Sequence, residues 1–320
     1  MKMNRWLIKS HDASLTSYGK YPGSRTVPEL LQNGLIILDK PQGPTCHQVD
    51  NWVKRITGVP KASHGGTLDP MVSGVLVIAL ENATKLMPIL LSSKKEYVAL
   101  VFLHKDVPEN QIRRACEEFV GKIKQLPPKK SAVARRIRER EIYYLEILQI
   151  SGRYILMRVG CEAGTYIRRL ADDIGKTLGC GAHLQELRRT KSGIFQEEQV
   201  RTLQDVADAI ALWKERGDDS ALREIVFPME KLADGMNMVI IKDSAVGAVA
   251  NGAPLAVQGI SRLTDGIERG DIVGMLSLKG EFIAFGNALM ASQEILKHGK
   301  GLAVKTDKVL ISQKTYPKKW

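Results

Sequence analysis

The chain has 320 residues, 44% hydrophobic and 26% charged, with a formal net charge of +12. That length exceeds what one core usually organises and suggests two domains, and the composition excludes a disordered or fibrous chain. No apolar run approaches the ~20 residues of a membrane span, so no membrane association is expected, and the basic excess suggests a polyanionic partner, because neutralised phosphates release counterions.

In chain order, residues 1–33 are polar and turn-rich, with Gly19, Pro22, Gly23 and Pro28. They read as an N-terminal arm that can pack on the C-terminal domain. Their apolar stretch, Trp6-Leu7-Ile8, is too short for a secretory signal. The run Gly34–Lys40 predicts a strand, and Lys40-Pro41-Gln42-Gly43-Pro44 breaks it. Thr45 and Gln48 have the spacing of a capping box. They open a helix whose core face is expected to carry Val49, Trp52, Val53 and Ile56. Ser63 to Pro70 is a loop by composition. Gly74–Leu80, a continuous apolar run, predicts a buried strand, and Glu96–Leu103 and Tyr143–Gly160 supply further strand sequence. Gly164–Leu178 predicts a helix with Ile167, Leu170, Ala171, Ile174 and Leu178 on one face. Without a regular alternation of strand and helix, the pattern favours an α+β fold. Beyond Phe227–Asn237 come a strand (Met238–Ile241), a helix (Asp243–Asn251) and a hairpin, Asp271–Leu278 with Glu281–Ala288, turning at Lys279-Gly280. This predicts a small, mostly β domain. The expected boundaries are 1–33, 34–232 and 233–320.

Most familiar chemistry is missing. The four cysteines, Cys46, Cys116, Cys161 and Cys180, stand singly, which argues against a disulfide framework or a cysteine zinc site and for a cytoplasmic setting. The six histidines show no paired metal-ligand spacing, so no metal is expected. Gly175-Lys176-Thr177 imitates the end of a phosphate-binding loop, but Leu170 stands where its first glycine belongs. Gly175 reads instead as a helix-ending or turn glycine.

Two stretches stand out. In His64-Gly65-Gly66-Thr67-Leu68-Asp69-Pro70, the glycines permit close backbone approach to a ligand and Pro70 restricts Asp69 to extended or turn geometry. A carboxylate on a stiff loop suits a nucleophile or general base; an ordinary Asp-Pro turn is the plain alternative. Lys122–Arg140 holds eight Lys/Arg (Lys122, Lys124, Lys129, Lys130, Arg135, Arg136, Arg138 and Arg140) against one acid, Glu139. It reads as a solvated charged face or as a clamp on a phosphate backbone. Short of acidic partners, Lys129–Arg140 is expected to be poorly ordered until RNA binds.

Five motifs in order, GLIILDKPQGPTCHQV, HGGTLDPMVSGVLVIAL, KKEYVA, QLPPKKSAVARRIRERE and VGCEAGTYIRRLADDIGKTLGCGAHLQELRRTKSGIF, resemble the TruB/dyskerin family of RNA pseudouridine synthases, in its archaeal guide-RNA-dependent branch. Residues 237–311 resemble a PUA domain, an RNA-binding module. The resemblance implies a mixed, mostly antiparallel catalytic sheet with a small β PUA domain. It also implies isomerisation of uridine to pseudouridine in rRNA or tRNA without a cofactor. Asp69 is then the catalytic carboxylate, nucleophile or base, Arg168 its partner, and Tyr97 the stacking surface for the uracil. Leu187 packs on the base edge, and His64 helps displace the target nucleotide. Lys129, Lys130, Arg135, Arg136 and Arg138 contact RNA in a mobile thumb, while Lys40 and Pro41 buttress the loop. The implied partners are an H/ACA guide RNA, a small zinc-ribbon protein, a small β-barrel protein and a kink-turn-binding ribosomal-type protein. A stand-alone tRNA synthase and a non-catalytic RNA scaffold are the alternatives. Cys46 stands where serine is commoner in the family, which puts a structural hydrogen bond there in doubt.

Overall fold

The computed structural model describes residues 5–127 and 136–317. Its larger sheet takes strands β2 (Gly34–Lys40), β3 (Ala62–His64), β4 (Ser73–Leu80), β5 (Lys95–Leu103), β6 (Gly121–Gln125), β7 (Arg138–Ser151), β8 (Tyr154–Cys161), β9 (Ala182–Ser192), β10 (Phe195–Gln196) and β11 (Val226–Pro228). The path runs β11-β2-β4-β9-β5-β8-β7-β6, with β3 on β4 and β10 on β9. The smaller sheet takes β1 (Trp6–Ile8), β12 (Asn237–Ile241), β13 (Leu255–Ala256), β14 (Ile260–Thr264), β15 (Ile272–Leu276), β16 (Phe282–Ala288) and β17 (Leu302–Val309), in the order β1-β14-β12-β15-β16-β17-β13. Only the β4–β9 and β12–β15 pairs are parallel among the strands described. The chain is an α+β fold with mixed, mostly antiparallel sheets.

Burial follows the sequence period. β5 alternates buried and half-buried residues along its length, as a strand with one core face must. β2 and β4 are buried on both faces, which is why they read as unbroken apolar runs. Their two faces enter different cores. Ile36, Leu38, Leu76 and Ile78 pack in the main core. Leu35, Ile37, Val75 and Val77 share a second core with Met238, Leu276, Phe282, Phe285 and Leu310 of the C-terminal module. The smaller sheet therefore sits on the back of the larger one.

The arm joins this junction. Trp6–Ile8 pairs antiparallel with Arg262–Thr264 on the edge of the smaller sheet. Arg25 makes a two-pronged pair with Glu230, at 2.7 and 2.8 Å. Lys279 Nζ donates to the carbonyls of Thr16, Tyr18 and Gly19.

Several local expectations change. The Cys46–Thr57 helix has its capping box, with Gln48 N donating to Thr45 Oγ1 at 3.2 Å and Thr45 N to Gln48 Oε1 at 2.8 Å. Its buried face carries Cys46, Val49, Asp50, Val53 and Thr57, whereas Trp52 is 38% exposed. The core lies on the 46/49/50/53/57 side, and Trp52 is turned away from it. The second predicted helix begins at Ile167, after a loop with Gly164 at φ +80°, and ends at Thr177. Gly175 lies inside that helix rather than at its end. A Cβ there would collide with the backbone of Ala182, so the glycine lets β9 approach. Tyr143–Gly160 is two strands joined at Gly152, φ +56°.

Candidate active site

Asp69 lies on the loop between β3 and β4, and the scaffold beneath it is made of buried cations. Lys40, at the end of β2, has no exposed surface. Its Nζ donates to the carbonyls of Pro41 (2.9 Å), Pro70 (3.1 Å) and Val72 (2.9 Å), and at 3.4 Å to Asp69. One ammonium thus gathers the backbone on both sides of the carboxylate. Pro41 starts the turn that Gly43 N ties to Pro70 O at 2.8 Å. Cys46 closes the other side: Leu68 N donates to Sγ at 3.1 Å, and Sγ donates to Leu68 O at 3.3 Å. The bond in doubt at this position is therefore made, through a longer sulfur contact.

The glycine pair serves the interior rather than a ligand. A Cβ on Gly65 would come within 2.8 Å of Leu90 Cβ, and Gly66 has φ +129° beside Lys95 and Arg189. Arg189, on β9 and 1% exposed, donates to Val75 O at 2.7 Å and Gly66 O at 3.0 Å. Its neighbour Arg188 pairs with Asp39 at 2.9 Å and with Glu197. Neither arginine stood out in the sequence, because β9 is crowded with charged residues and lacks a clean apolar period. Their only signal was the consecutive pair itself.

Arg168, in the first turn of the Ile167–Thr177 helix, places Nη2 2.6 Å from Asp69 Oδ2. Tyr97 on β5 stands opposite Arg189 on β9. It is 8% exposed, so its ring forms part of the floor of the site. Burial pushes its phenol up, the Arg189 guanidinium pulls it down, and the Asp69 charge adds to the rise. Two residues away on the same strand, Lys95 is buried with Nζ on Leu90 O (3.1 Å), Ser93 O and Ser93 Oγ (2.7 Å each). Burial, with Arg189 nearby, pulls its ammonium down to about 7. Leu187, opposite Ala99, is half-buried against the main core. His64 is nearly buried, with Nδ1 2.7 Å from Asp50 Oδ2 and Nε2 3.1 Å from Thr67 Oγ1.

The two ends of the basic segment pair as strands. Gly121–Gln125 pairs antiparallel with Arg138–Ile142. Its acidic partners exist: Lys122 reaches Glu139 at 3.0 Å and Arg140 reaches Glu162 at 3.2 Å. Residues 138–140 are thus strand, contrary to the expectation of a disordered clamp up to Arg140, because cross-strand bonds and these ion pairs hold them. Arg136 is exposed and Arg138 half-buried, while Lys129, Lys130 and Arg135 lie outside the described residues. The hairpin is latched to the site. Gln125 Nε2 donates to Tyr166 O at 3.1 Å, and Tyr166 N donates to Gln125 Oε1 at 2.9 Å, two residues before Arg168. The structure brings together Asp69, Arg168, Lys40 and Tyr97, with the basic hairpin at the edge; His64 faces Asp50 and Thr67 instead. Away from the floor, His47, Asp50 and His64 form a group with metal-ligand spacing.

Residues 54–167 match the TruB family pseudouridylate synthase N-terminal domain, and 168–234 the tRNA pseudouridylate synthase B C-terminal domain. Residues 237–310 match the PUA domain, and 1–50 the DKCLD (NUC011) domain. A "Probable tRNA pseudouridine synthase B" of Methanosarcina barkeri is 51% identical over 304 residues, covering 95% of this chain and 90% of that protein. Its namesake from Pyrococcus horikoshii is 52% identical over 316 residues, covering 98% and 95%. Among solved structures, a chain of "Crystal Structure of a Cbf5-Nop10-Gar1 Complex" superposes with TM-score 0.93 at 51% identity, covering 98% of this chain and 96% of that one. A chain of "Structure of H/ACA RNP bound to a substrate RNA containing 2'-deoxyuridine" gives 0.92 at 49%, covering 99% and 98%.

Proposed function

The chain belongs to the TruB family of RNA pseudouridine synthases, and we propose that it is the catalytic subunit of a box H/ACA guide ribonucleoprotein in which Asp69 carries the chemistry. The family reaction is an isomerisation. The uracil leaves C1′ of its ribose through N1, turns, and rejoins C1′ through C5; the C5 proton is lost and N1 regains one. Nothing is oxidised or reduced.

The observation that carries the reading is the Arg168–Asp69 pair at 2.6 Å, on a loop whose backbone Lys40 holds from beneath. The guanidinium orients the carboxylate through a charge-assisted bond. A carboxylate so held can attack the ribose or remove a proton. Tyr97, at the floor, offers a ring to the displaced base, as RNA sites do; Leu187 flanks it on β9. His64 assists displacement of the nucleotide only by giving up its bonds to Asp50 and Thr67. Arg138, opposite Gln125 where the two strands are joined, and Arg136 just before it take phosphates, together with Lys129, Lys130 and Arg135. Two things favour the guide-dependent assembly. The arm and PUA module together build a second sheet, and chains matching at 96% and 98% of their length come from a Cbf5-Nop10-Gar1 complex and a substrate-bound H/ACA RNP. The guide RNA, an rRNA or tRNA substrate, and small accessory proteins of the zinc-ribbon, β-barrel and kink-turn-binding types follow as partners. The relatives' name favours a second reading, direct action on tRNA.

The test is pseudouridine formation by the purified chain on rRNA and tRNA, each with and without guide RNA and the accessory proteins, for wild type and Asp69→Asn. We expect guide-dependent product from wild type and none from the variant, at equal RNA affinity. Near-normal turnover by Asp69→Asn sinks the catalytic assignment; full activity on tRNA with no guide sinks the guide-dependent one.

A further inference from the structure

We propose that His47, Asp50 and His64 form a binding site for a divalent transition-metal ion of the zinc type, on the flank of the catalytic loop. The inference is independent of the guide-dependent reading. His47 and Asp50 lie one turn apart at the start of the Cys46–Thr57 helix, and His64 ends β3. One donor atom from each lies within 4.8 Å of the others. Asp50 Oδ2 is 2.7 Å from His64 Nδ1 and 3.9 Å from His47 Nδ1. Bonds of ~2.0–2.2 Å to a tetrahedral ion need donors roughly 3.3–3.5 Å apart, so small side-chain shifts suffice. Both elements are fixed, the helix by its capping box and β3 by pairing with β4, as a metal site requires.

The Asp50 carboxylate is buried and incompletely partnered. The side chain is only 9% exposed, and its Oδ1 has no hydrogen-bond partner among the described residues. Its ion-pair partners there are the two imidazoles, with no lysine or arginine among them. A buried carboxylate left so is costly, and a cation held at Oδ2 between the two imidazoles would neutralise its charge. The surroundings also match a metal-bound histidine. With Nδ1 toward the ion, His64 Nε2–H faces Thr67 Oγ1 at 3.1 Å, the outer bond that fixes ring orientation at such sites. The His47 ring meets His64 edge-on, 5.3 Å between centroids. His47 is 87% exposed, so an ion can enter from solvent and keep a water as fourth ligand. Two nitrogens and one oxygen select zinc, cobalt, nickel or copper over magnesium or calcium. Because Thr67 lies two residues before Asp69, an ion here would stiffen the loop and hold His64 on Thr67, so that His64 could assist nucleotide displacement only once the ion is released.

The experiment titrates the full chain with Co²⁺, read by visible absorption, and with Zn²⁺, read by calorimetry, for wild type, His47→Ala and Asp50→Asn. Wild type should bind one equivalent, with cobalt d–d bands and no thiolate-to-cobalt charge transfer. Each variant should bind more than about tenfold more weakly. His47 is on the surface, so that variant tests the site even if Asp50→Asn fails to fold. Unchanged affinity in His47→Ala overturns the proposal. So does a thiolate band, which would put the ion on a cysteine such as Cys46.

Discussion

Arg168 bonds Asp69 at 2.6 Å across 99 positions of sequence, yet the two side chains keep 60% and 55% of their exposure. An ion pair so open to water contributes about 0–1 kcal/mol to stability. Its value lies in orienting the carboxylate.

Arg168→Met should therefore shift the unfolding free energy by no more than about 1 kcal/mol while lowering turnover by roughly 10²–10³. Denaturant unfolding and single-turnover pseudouridine formation measure the two. A large stability loss with intact turnover would recast Arg168 as structural.

Lys95 makes stability depend on pH. Folded, its ammonium is held near 7 by burial; unfolded, it returns to about 10.5. Between these values the unfolded chain binds the extra proton, so stability rises with pH through that window. The gain is on the order of a few kcal/mol. Lys95→Met should lose it. Urea midpoints for both proteins at pH 7 and pH 9.5 test this; parallel pH dependence would mean that Lys95 stays protonated in the fold.

Arg138 faces Gln125 at the connected end of the hairpin that Gln125 latches to Tyr166, and Arg136 lies just before it. Replacing both with Ala should weaken RNA binding and flatten its salt dependence, by roughly 0.7–0.9 in the log–log slope for each lost phosphate contact. Titrations at several salt concentrations give the slopes. Equal slopes would leave these arginines as a solvated face.

Deleting residues 237–320 should cost the remaining chain its solubility. The truncation uncovers Leu35, Ile37, Val75 and Val77, which pack against Met238, Phe282, Phe285 and Leu310 in a shared core, and such exposed apolar patches promote aggregation. The small domain's own strands and hairpin suggest separate folding from sequence; the shared core argues against it. A soluble, cooperatively unfolding truncation would show that the junction is dispensable.

The sequence by itself determined whatever local period and motif could carry. Gly34–Lys40 and Gly74–Leu80 are strands because apolar runs bounded by breakers leave little else. Thr45 and Gln48 start a helix because their side chains satisfy its first backbone donors. The run from His64 to Pro70 marked Asp69, and the ordered motifs marked the family. Tertiary structure decided which side of each element met a core and which distant residues met one another. It turned Trp52 outward, because the core lies along Cys46, Val49 and Val53. It carried the arm onto β14 and brought Arg189 beneath the loop through a strand whose charges hide its pattern. It also joined His47 and Asp50 to His64. Period fixes a face within one turn or two residues, but a contact between remote residues depends on how whole sheets and helices pack, and no local spacing encodes that.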